Sequence, residues 1–265
     1  MRDLLHVPGR PLLIGVVHLR PTPGAPRYGG SPASLLEEAC ADAEALRVGG
    51  ADALIVENFG DAPFYGDAVP AETVAILARA VEAVHGVAPE LPVGVNVLRN
   101  DARAGLGLCA ATAASFLRVN VFVGAMVTDQ GILEGRAAEL TRERARLAPD
   151  AGILADVHVK HAVPLGQEPL EDAAEEAFRR GGADALILSG ARTGSPADPS
   201  DFARVRERLP EAPLLVGSGL DARNASAFRP LARGAIVGTS LKRGGRVEEP
   251  VEEERVRALR AVWSG

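Results

Sequence analysis

The 265-residue chain carries 29 basic and 35 acidic residues, which gives a net charge of −6 at pH 7, and 47% of its residues are hydrophobic. This composition is typical of a water-soluble globular protein, and the acidic balance excludes nucleic acid as the main partner. The two cysteines, Cys40 and Cys109, lack metal-type spacing. We therefore expect a reducing, cytoplasmic compartment.

No integral membrane segment is expected. Residues 1–10 are too few and too charged for a signal peptide. The longest apolar-leaning stretch, residues 110–127, is interrupted by Arg118 and Asn120, and such a stretch does not cross a bilayer.

Taken in chain order, eight short apolar runs predict β-strands, and each is followed by a run with helical periodicity. The strand runs are apolar almost throughout, which is typical of parallel strands covered on both faces. Loops rich in proline and glycine follow the first two strands, at residues 20–32 and 59–69, and residues 122–133 are predicted to form another long loop. The predicted strands are residues 11–19, 51–57, 92–98, 116–121, 152–159, 184–188, 214–216 and 235–237; the predicted helices are residues 34–48, 70–84, 101–112, 135–147, 170–180, 201–208, 221–231 and 251–262.

This alternation predicts an α/β fold: a single (β/α)8 TIM barrel of the ribulose-phosphate-binding type over residues 1–265. The sequence Gly-Gly-Ala-Asp-Ala occurs at residues 49–53 and again at 181–185, which fits duplicated strand–helix units. An open, doubly wound sheet is the alternative.

Two glycine-bearing turns follow the last two predicted strands. Glycine lets backbone N–H groups approach an anion closely, and nearby hydroxyls add donors. Two such turns in tandem at the end of a barrel are typical of a phosphate site. Arg192, in the loop of residues 189–195, is a candidate second clamp on the phosphate. The predicted phosphate-binding residues are Gly194, Gly217, Ser218, Gly219, Gly238, Thr239 and Ser240.

Polar side chains end most of the predicted strands. In a TIM barrel the carboxyl ends of the strands form the active-site face, and buried polar groups cost stability unless they are paired. This ring therefore predicts a binding or catalytic site. We expect Glu57, Asp156, His158 and His18 to move protons, and Asn96, Asn120, Lys160 and Arg192 to bind substrate.

The chemistry of this ring leaves alternatives open. Asp156 and His158 could instead satisfy each other structurally. No cofactor is predicted, and a divalent metal is a less favoured alternative because the His, Asp and Glu residues have no diagnostic spacing. Lys160 as a Schiff-base nucleophile is disfavoured because its sequence neighbours are polar, so it is interpreted as a cation for an anionic substrate.

Six motifs in order along nearly the whole chain resemble the BtpA family, which includes the sugar-operon proteins called SgcQ. They are GVVHLRPTPGAPRYGGS (residues 15–31), IVENFGDAPF (55–64), VGVNVLRND (93–101), FLRVNVFVGAMVTDQGILEG (116–135), DVHVKHA (156–162) and VGTSLKRGG (237–245). Residues 246–253 depart from the Asn-Pro-Val-Asp associated with the family. The resemblance implies a phosphate-binding barrel and, from cyanobacterial members, a role in photosystem I biogenesis with peripheral membrane association; it supplies no agreed reaction.

Two functions from different classes follow. The first is an isomerase-, lyase- or transferase-type enzyme that uses carboxylate and histidine chemistry on a small phosphorylated compound, such as a sugar phosphate or a nucleotide-like ester. The second is a non-catalytic accessory factor for photosystem I, whose pocket binds a regulatory ligand. The polar ring favours the enzyme, and a homo-oligomer is compatible with either.

Overall fold

Eight parallel strands close into a barrel in the computed structural model, which describes residues 1–6, 9–190 and 196–265. The order around the barrel is β1-β11-β10-β9-β7-β4-β3-β2, and β2 pairs with β1 to close it. The predicted TIM-barrel fold is therefore confirmed. The barrel strands are β1 (Leu12–His18), β2 (Ala53–Glu57), β3 (Val93–Asn96), β4 (Ala114–Val119), β7 (Gly152–Val157), β9 (Ala185–Leu188), β10 (Leu214–Val216) and β11 (Gly234–Val237).

Helices cover the outside of the barrel. The one that follows β1 begins after Ser31, whose hydroxyl accepts the N–H of Ser34 at 3.2 Å, and ends at Gly50 in the left-handed conformation, as its sequence signals predict. The described helices are α1 (Arg2–His6), α2 (Pro32–Gly49), α3 (Ala71–Val87), α4 (Ala102–Ala111), α5 (Ala137–Leu147), α6 (Leu170–Glu175, extended by a π-turn over Glu176–Arg180), α7 (Pro199–Arg208), α8 (Ala225–Phe228) and α9 (Glu253–Ser264). None of them is both long enough and apolar enough to cross a membrane.

Two apolar cores result from the alternation of side chains along the strands. Every second residue points into the barrel, where Ile14, Ile55, Phe116 and other apolar side chains pack together, and Leu5 of α1 covers the amino-terminal end. The remaining strand residues pack outward against the helices. Gly94 makes room for Phe116 inside the barrel, since a Cβ at Gly94 would lie 2.3 Å from that ring.

A three-stranded antiparallel sheet lies over the carboxyl ends of the barrel strands β4 and β7. Its strands are β5 (Ala125–Thr128), β6 (Gly131–Glu134) and β8 (Ala162–Pro164), in the order β6-β5-β8. The prediction of a plain loop over residues 122–133 is therefore wrong. The hairpin turns at Gly131, whose φ is +99°, and buries Met126 and Leu133 on one face.

The carboxyl-terminal segment holds the barrel closed. The indole N–H of Trp263 donates to the Leu12 carbonyl at 3.0 Å, and Val256 packs so closely on Gly49 of α2 that a Cβ there would lie 2.4 Å from it. Ahead of α9, the Lys242 ammonium bonds the Asp42 carboxylate at 2.8 Å. The helix predicted over residues 221–231 is shorter than expected, since only Ala225–Phe228 is helical and Asp221 closes a turn before it.

Candidate active site

The barrel interior changes from apolar to polar at the carboxyl ends of the strands, which we call the mouth. In β1 the inward residues Leu12, Ile14 and Val16 lead to His18, and in β2 the same alternation leads to Glu57. The same parity continues on the neighbouring strands. It gives Asn96 on β3, Arg118 and Asn120 at the end of β4, and Asp156 on β7.

Glu57 lies between two polar neighbours set by strand register. His18 of β1 and Asn96 of β3 are its partners across the sheet, and the Asn96 amide donates to Oε2 of Glu57 at 3.0 Å. Burial opposes ionisation, but the electrostatic effects of His18, Arg118 and Lys160, with a smaller contribution from the Asn96 hydrogen bond, outweigh it and hold the pKa of Glu57 below its usual value. Glu57 is therefore a carboxylate at neutral pH and can accept a proton.

A buried ion pair lies beside this carboxylate. Arg118 donates from Nε and from a terminal nitrogen to the two oxygens of Asp156, at 2.8 and 2.9 Å, and the Asn120 amide donates to the same carboxylate at 2.7 Å. The side chains of Arg118 and Asp156 are 3% and 0% exposed. Asp156 thus fixes the orientation of Arg118, whose guanidinium lines the mouth.

His18 is buried at the foot of the mouth. Burial lowers the pKa of its imidazole to about 4, although the charge of Glu57 acts the other way, so the ring is neutral at pH 7. The ring lies 4.7 Å from that of Phe59, and its Nδ1 has no hydrogen-bond partner among the described residues. A Cβ on Gly238 would approach the ring to 2.4 Å, so glycine is required there for His18 to occupy this position.

Lys160 reaches the mouth from the segment after β7. Its own carbonyl accepts a hydrogen bond from Arg99 at 2.7 Å, which ties its backbone to the segment after β3. Burial lowers the pKa of the Lys160 ammonium, and the nearby charge of Arg118 acts in the same direction. No hydrogen bond or ion pair joins this ammonium to another residue of the described chain.

The two glycine turns border a cavity of about 530 Å³, which we call the turn lobe. The N–H groups of Gly219 and Gly238, one in each turn, donate to no acceptor within the described ranges. Ser218 and Ser240 have structural bonds: the Ser218 hydroxyl accepts the N–H of Gly190 at 2.9 Å, and that of Ser240 donates to the Leu220 carbonyl at 2.7 Å.

Basic side chains stand at the rim of the turn lobe. Arg223 and Arg255 line it together with the glycine turns. Arg255 is held by Glu252 at 2.8 Å and approaches the Ser240 carbonyl at 3.3 Å. The turn lobe thus combines backbone donors with positive charge, the combination that binds anions.

A second cavity of about 550 Å³, which we call the far lobe, opens on the other side of the same mouth. Glu57, Arg118 and Lys160 line both lobes, so the three ionisable groups stand where the lobes meet. Two buried atoms in the far lobe, Nε of Arg99 and Oδ1 of Asn120, have no partner among the described residues. The far lobe is also lined by Arg27, Phe64, Asn96, Asp129 and His161.

The structure brings most of the sequence-predicted residues to the mouth but places His158 outside the two lobes. His158, with φ +50°, breaks the strand alternation after Val157 and lines a third cavity, which it shares with Asp156, Asn120 and Glu168. The predicted clamp residues Arg192 and Gly194 lie outside the described residues. The sequence reasoning missed Arg118, Arg99 and Arg255.

Of these, Arg118 could have been found from sequence, because a charged residue inside a buried parallel strand is unusual. For metals, the described part of the chain contains no group of three or more His, Cys, Asp or Glu residues arranged to hold an ion.

Comparisons with known proteins agree with this architecture. The model of the BtpA family matches residues 10–263. The chain is 44% identical to the photosystem I biogenesis protein BtpA of Synechocystis, over 93% of this chain and 86% of that protein. It is 46% identical to an uncharacterized protein of Thermococcus kodakarensis over 93% of each chain. An uncharacterized protein of Caenorhabditis elegans is 31% identical, over 93% of this chain and 91% of that one.

Solved structures share the fold at low sequence identity. Phosphoribosyl anthranilate isomerase of Thermus thermophilus superposes with a TM-score of 0.57 at 17% identity, covering 95% of this chain and 97% of that one. Tryptophan synthase of Mycobacterium tuberculosis gives a TM-score of 0.61 at 18% identity, covering 100% and 95%. These likenesses concern the barrel fold.

Proposed function

The chain belongs to the BtpA family, and from that premise we propose that it is an enzyme acting on a small phosphorylated compound. The phosphate binds between the turns of residues 217–219 and 238–240, and the rest of the compound extends across the mouth toward the far lobe. One observation carries this proposal: both glycine turns face a cavity that is also lined by a buried carboxylate and by four basic side chains.

The phosphate end is supported by the donors of the turn lobe. The N–H groups of Gly219 and Gly238 lack acceptors among the described residues, and Arg255 adds charge at the rim. Phosphate groups are held in this manner after the last two strands of many TIM barrels. One structural neighbour, phosphoribosyl anthranilate isomerase, is named after a phosphorylated compound.

The reacting end is assigned to the residues where the two lobes meet. Glu57 is the general base, since its lowered pKa keeps it ionised at neutral pH. Neutral His18 is a hydrogen-bonding partner, while Arg118 and Lys160 stabilise negative charge that develops on the substrate. Asp156 and Asn120 position Arg118.

A thermal-shift series tests the proposal, with glycerol 3-phosphate and ribose 5-phosphate measured against glycerol and ribose. A ligand that binds only the folded state adds about 2.7 kcal/mol at a hundredfold excess over its dissociation constant. We expect a rise in Tm with the phosphorylated members only. Thr239→Arg should abolish the rise, whereas Ser264→Arg, with the same charge change on an exposed residue next to Trp263, should keep it.

A phosphate-dependent rise that survives Thr239→Arg would move the anion site elsewhere. No rise with any phosphorylated compound would argue against the enzyme proposal and for the alternative below.

A second candidate function, the accessory role in photosystem I biogenesis, is favoured by the name of the Synechocystis relative and by one surface feature. Ile132, Val127 and Val163 are directly paired across β6, β5 and β8, and all three are exposed. Such an apolar row is typical of a protein contact. The relatives in Thermococcus kodakarensis and Caenorhabditis elegans, whose names carry no photosystem role, favour the enzyme.

A further inference from the structure

The chain uses arginine almost everywhere that it needs a cation. Two of its 29 basic residues are lysines, Lys160 and Lys242. Lys242 is buried and its ammonium is bonded to Asp42 at 2.8 Å, so its role is structural. Lys160 lies in the mouth without such a partner among the described residues. Apart from the pair of Lys242 and Asp42, the ion pairs within the described ranges use arginine, and Lys160 in the candidate active site has no ion-pair partner there.

Lysine and arginine differ in what they can do there. A guanidinium stays protonated in proteins and does not act as a nucleophile, whereas an amine can lose its proton and form a covalent bond. Burial and the charges of Arg118 and Arg99 hold the pKa of the Lys160 ammonium below its usual range, against the opposing charges of Glu57 and Asp156. More of the reactive, neutral amine is therefore present at a given pH than in an exposed lysine.

The position of Lys160 fits a covalent role. Lys160 lines both the turn lobe and the far lobe. A compound with its phosphate on the glycine turns and its other end in the far lobe would pass this side chain where the two lobes meet. The hydrogen bond from Arg99 to the Lys160 carbonyl fixes the backbone from which the side chain extends, and Glu57 lines the same two lobes.

The polar sequence neighbours of Lys160 disfavour this role, but its position where the two lobes meet supports it. We propose that Lys160 is a nucleophile that forms a Schiff base with an aldehyde or ketone group of the phosphorylated substrate. The inference rests on the proposed function and specifies its substrate class, a phosphorylated carbonyl compound.

The Schiff base forms by addition of the amine followed by loss of water. The amine lone pair attacks the carbonyl carbon, a C–N bond forms, and the C=O π pair takes up a proton as the carbinolamine hydroxyl. A proton moves from nitrogen to Glu57, and the hydroxyl then leaves as water with one further proton, so the iminium forms with net uptake of one proton. The iminium acidifies the adjacent C–H bond, and Glu57 can accept that proton once it has passed on the first.

Reductive trapping tests the inference on the 265-residue chain. The protein is incubated with glycolaldehyde phosphate or dihydroxyacetone phosphate and borohydride, and peptide mass mapping locates the reduced adduct. We expect one adduct, on Lys160, that inorganic phosphate suppresses and that unphosphorylated glycolaldehyde forms far less readily. Lys242 and the amino terminus of Met1 are the other amines in the chain and serve as internal controls.

Lys160→Arg keeps the positive charge and removes the nucleophile. We expect it to retain the phosphate-dependent rise in Tm and to lose the adduct.

If glycolaldehyde phosphate raises the Tm of the wild-type protein but no adduct forms on Lys160, the Schiff base is wrong and phosphate binding stands. If neither carbonyl compound raises the Tm nor forms an adduct, this inference fails. Whether the proposed function fails with it is then decided by glycerol 3-phosphate and ribose 5-phosphate. Adducts on Lys242 or Met1 alone also overturn the assignment.

Discussion

The buried pair of Arg118 and Asp156 gives the sharpest test of the site geometry. Replacement of Asp156 by Asn removes the negative charge and turns an amide N–H toward the guanidinium donors. Both side chains are almost completely excluded from solvent, and the two hydrogen bonds between them measure 2.8 and 2.9 Å. The guanidinium of Arg118 would keep its charge without a carboxylate to balance it.

The expected cost follows from that burial. Removing one partner of a buried ion pair costs about 3–5 kcal/mol, because the other charge is left uncompensated. A domain has a free energy of unfolding of roughly 5–15 kcal/mol, so Asp156→Asn should remove a large share of it. For a chain of this length the fall in Tm should be roughly 6–20 °C.

The loss in the free energy of unfolding is measured by urea denaturation. The signal is the fluorescence of Trp263, which is the single tryptophan and is fully buried. Glu38→Gln is the matched control, since its pair with Arg20 is 53% and 47% exposed and should cost no more than about 1 kcal/mol. Adding Arg118→Met to Asp156→Asn removes the uncompensated charge and should restore part of the lost stability. A loss below about 1 kcal/mol for Asp156→Asn alone would refute the reasoning.

Two further predictions concern the foot of the mouth. Gly238→Ala would bring a Cβ to 2.4 Å from the His18 ring, so this variant should show a weaker phosphate-dependent rise in Tm. The control is Gly107→Ala in α4, where no atom lies within 4 Å of the added Cβ, and it should keep the full rise. Equal rises in Tm in the two variants would contradict the role of the turn. Burial lowers the pKa of His18 from 6.5 to about 4 in the folded protein. As the pH falls, the unfolded chain therefore takes up a proton at this histidine before the folded chain does. The free energy of unfolding should fall by about 3 kcal/mol as the pH drops from 6.5 to 4. His18→Gln should show a flatter urea-denaturation profile over that range, and an unchanged slope would place the titration elsewhere.

The barrel could be predicted from sequence because its signals are local. Apolar runs of strand length, each followed by helical periodicity, depend on neighbours within a few residues. The antiparallel hairpin of β5 and β6 was missed because each strand has four residues and only Met126 and Leu133 are buried. An alternation this short, with apolar residues also on the exposed face, does not stand out from a loop.

The position of a site residue could be predicted where it depends only on which residue ends a strand. Glu57 and Asn96 were identified as polar residues at the ends of β2 and β3, and the register does bring them together. Arg118 was interpreted only as an interruption of an apolar stretch. Its partner Asp156 lies 38 residues away, and no local pattern specifies that pairing. His158 was expected to move protons together with Glu57 and Asp156, but its positive φ ends the strand alternation after Val157, and its side chain lines a cavity outside the two lobes.

The ion pair at the mouth also bears on function, because burying two charges has a free-energy cost. A buried pair of charges rarely stabilises a fold more than apolar residues of similar size would, because both charges lose their hydration. The interior of the barrel below it is wholly apolar, so packing alone does not require Arg118 and Asp156 at this level. What the pair supplies is a fixed cation beside Glu57 and Lys160, held by Asp156 and Asn120 rather than by mobile water. A preorganised charge of this kind stabilises an anionic transition state without reorganisation, which is the property that an enzyme acting on a phosphorylated carbonyl compound would need.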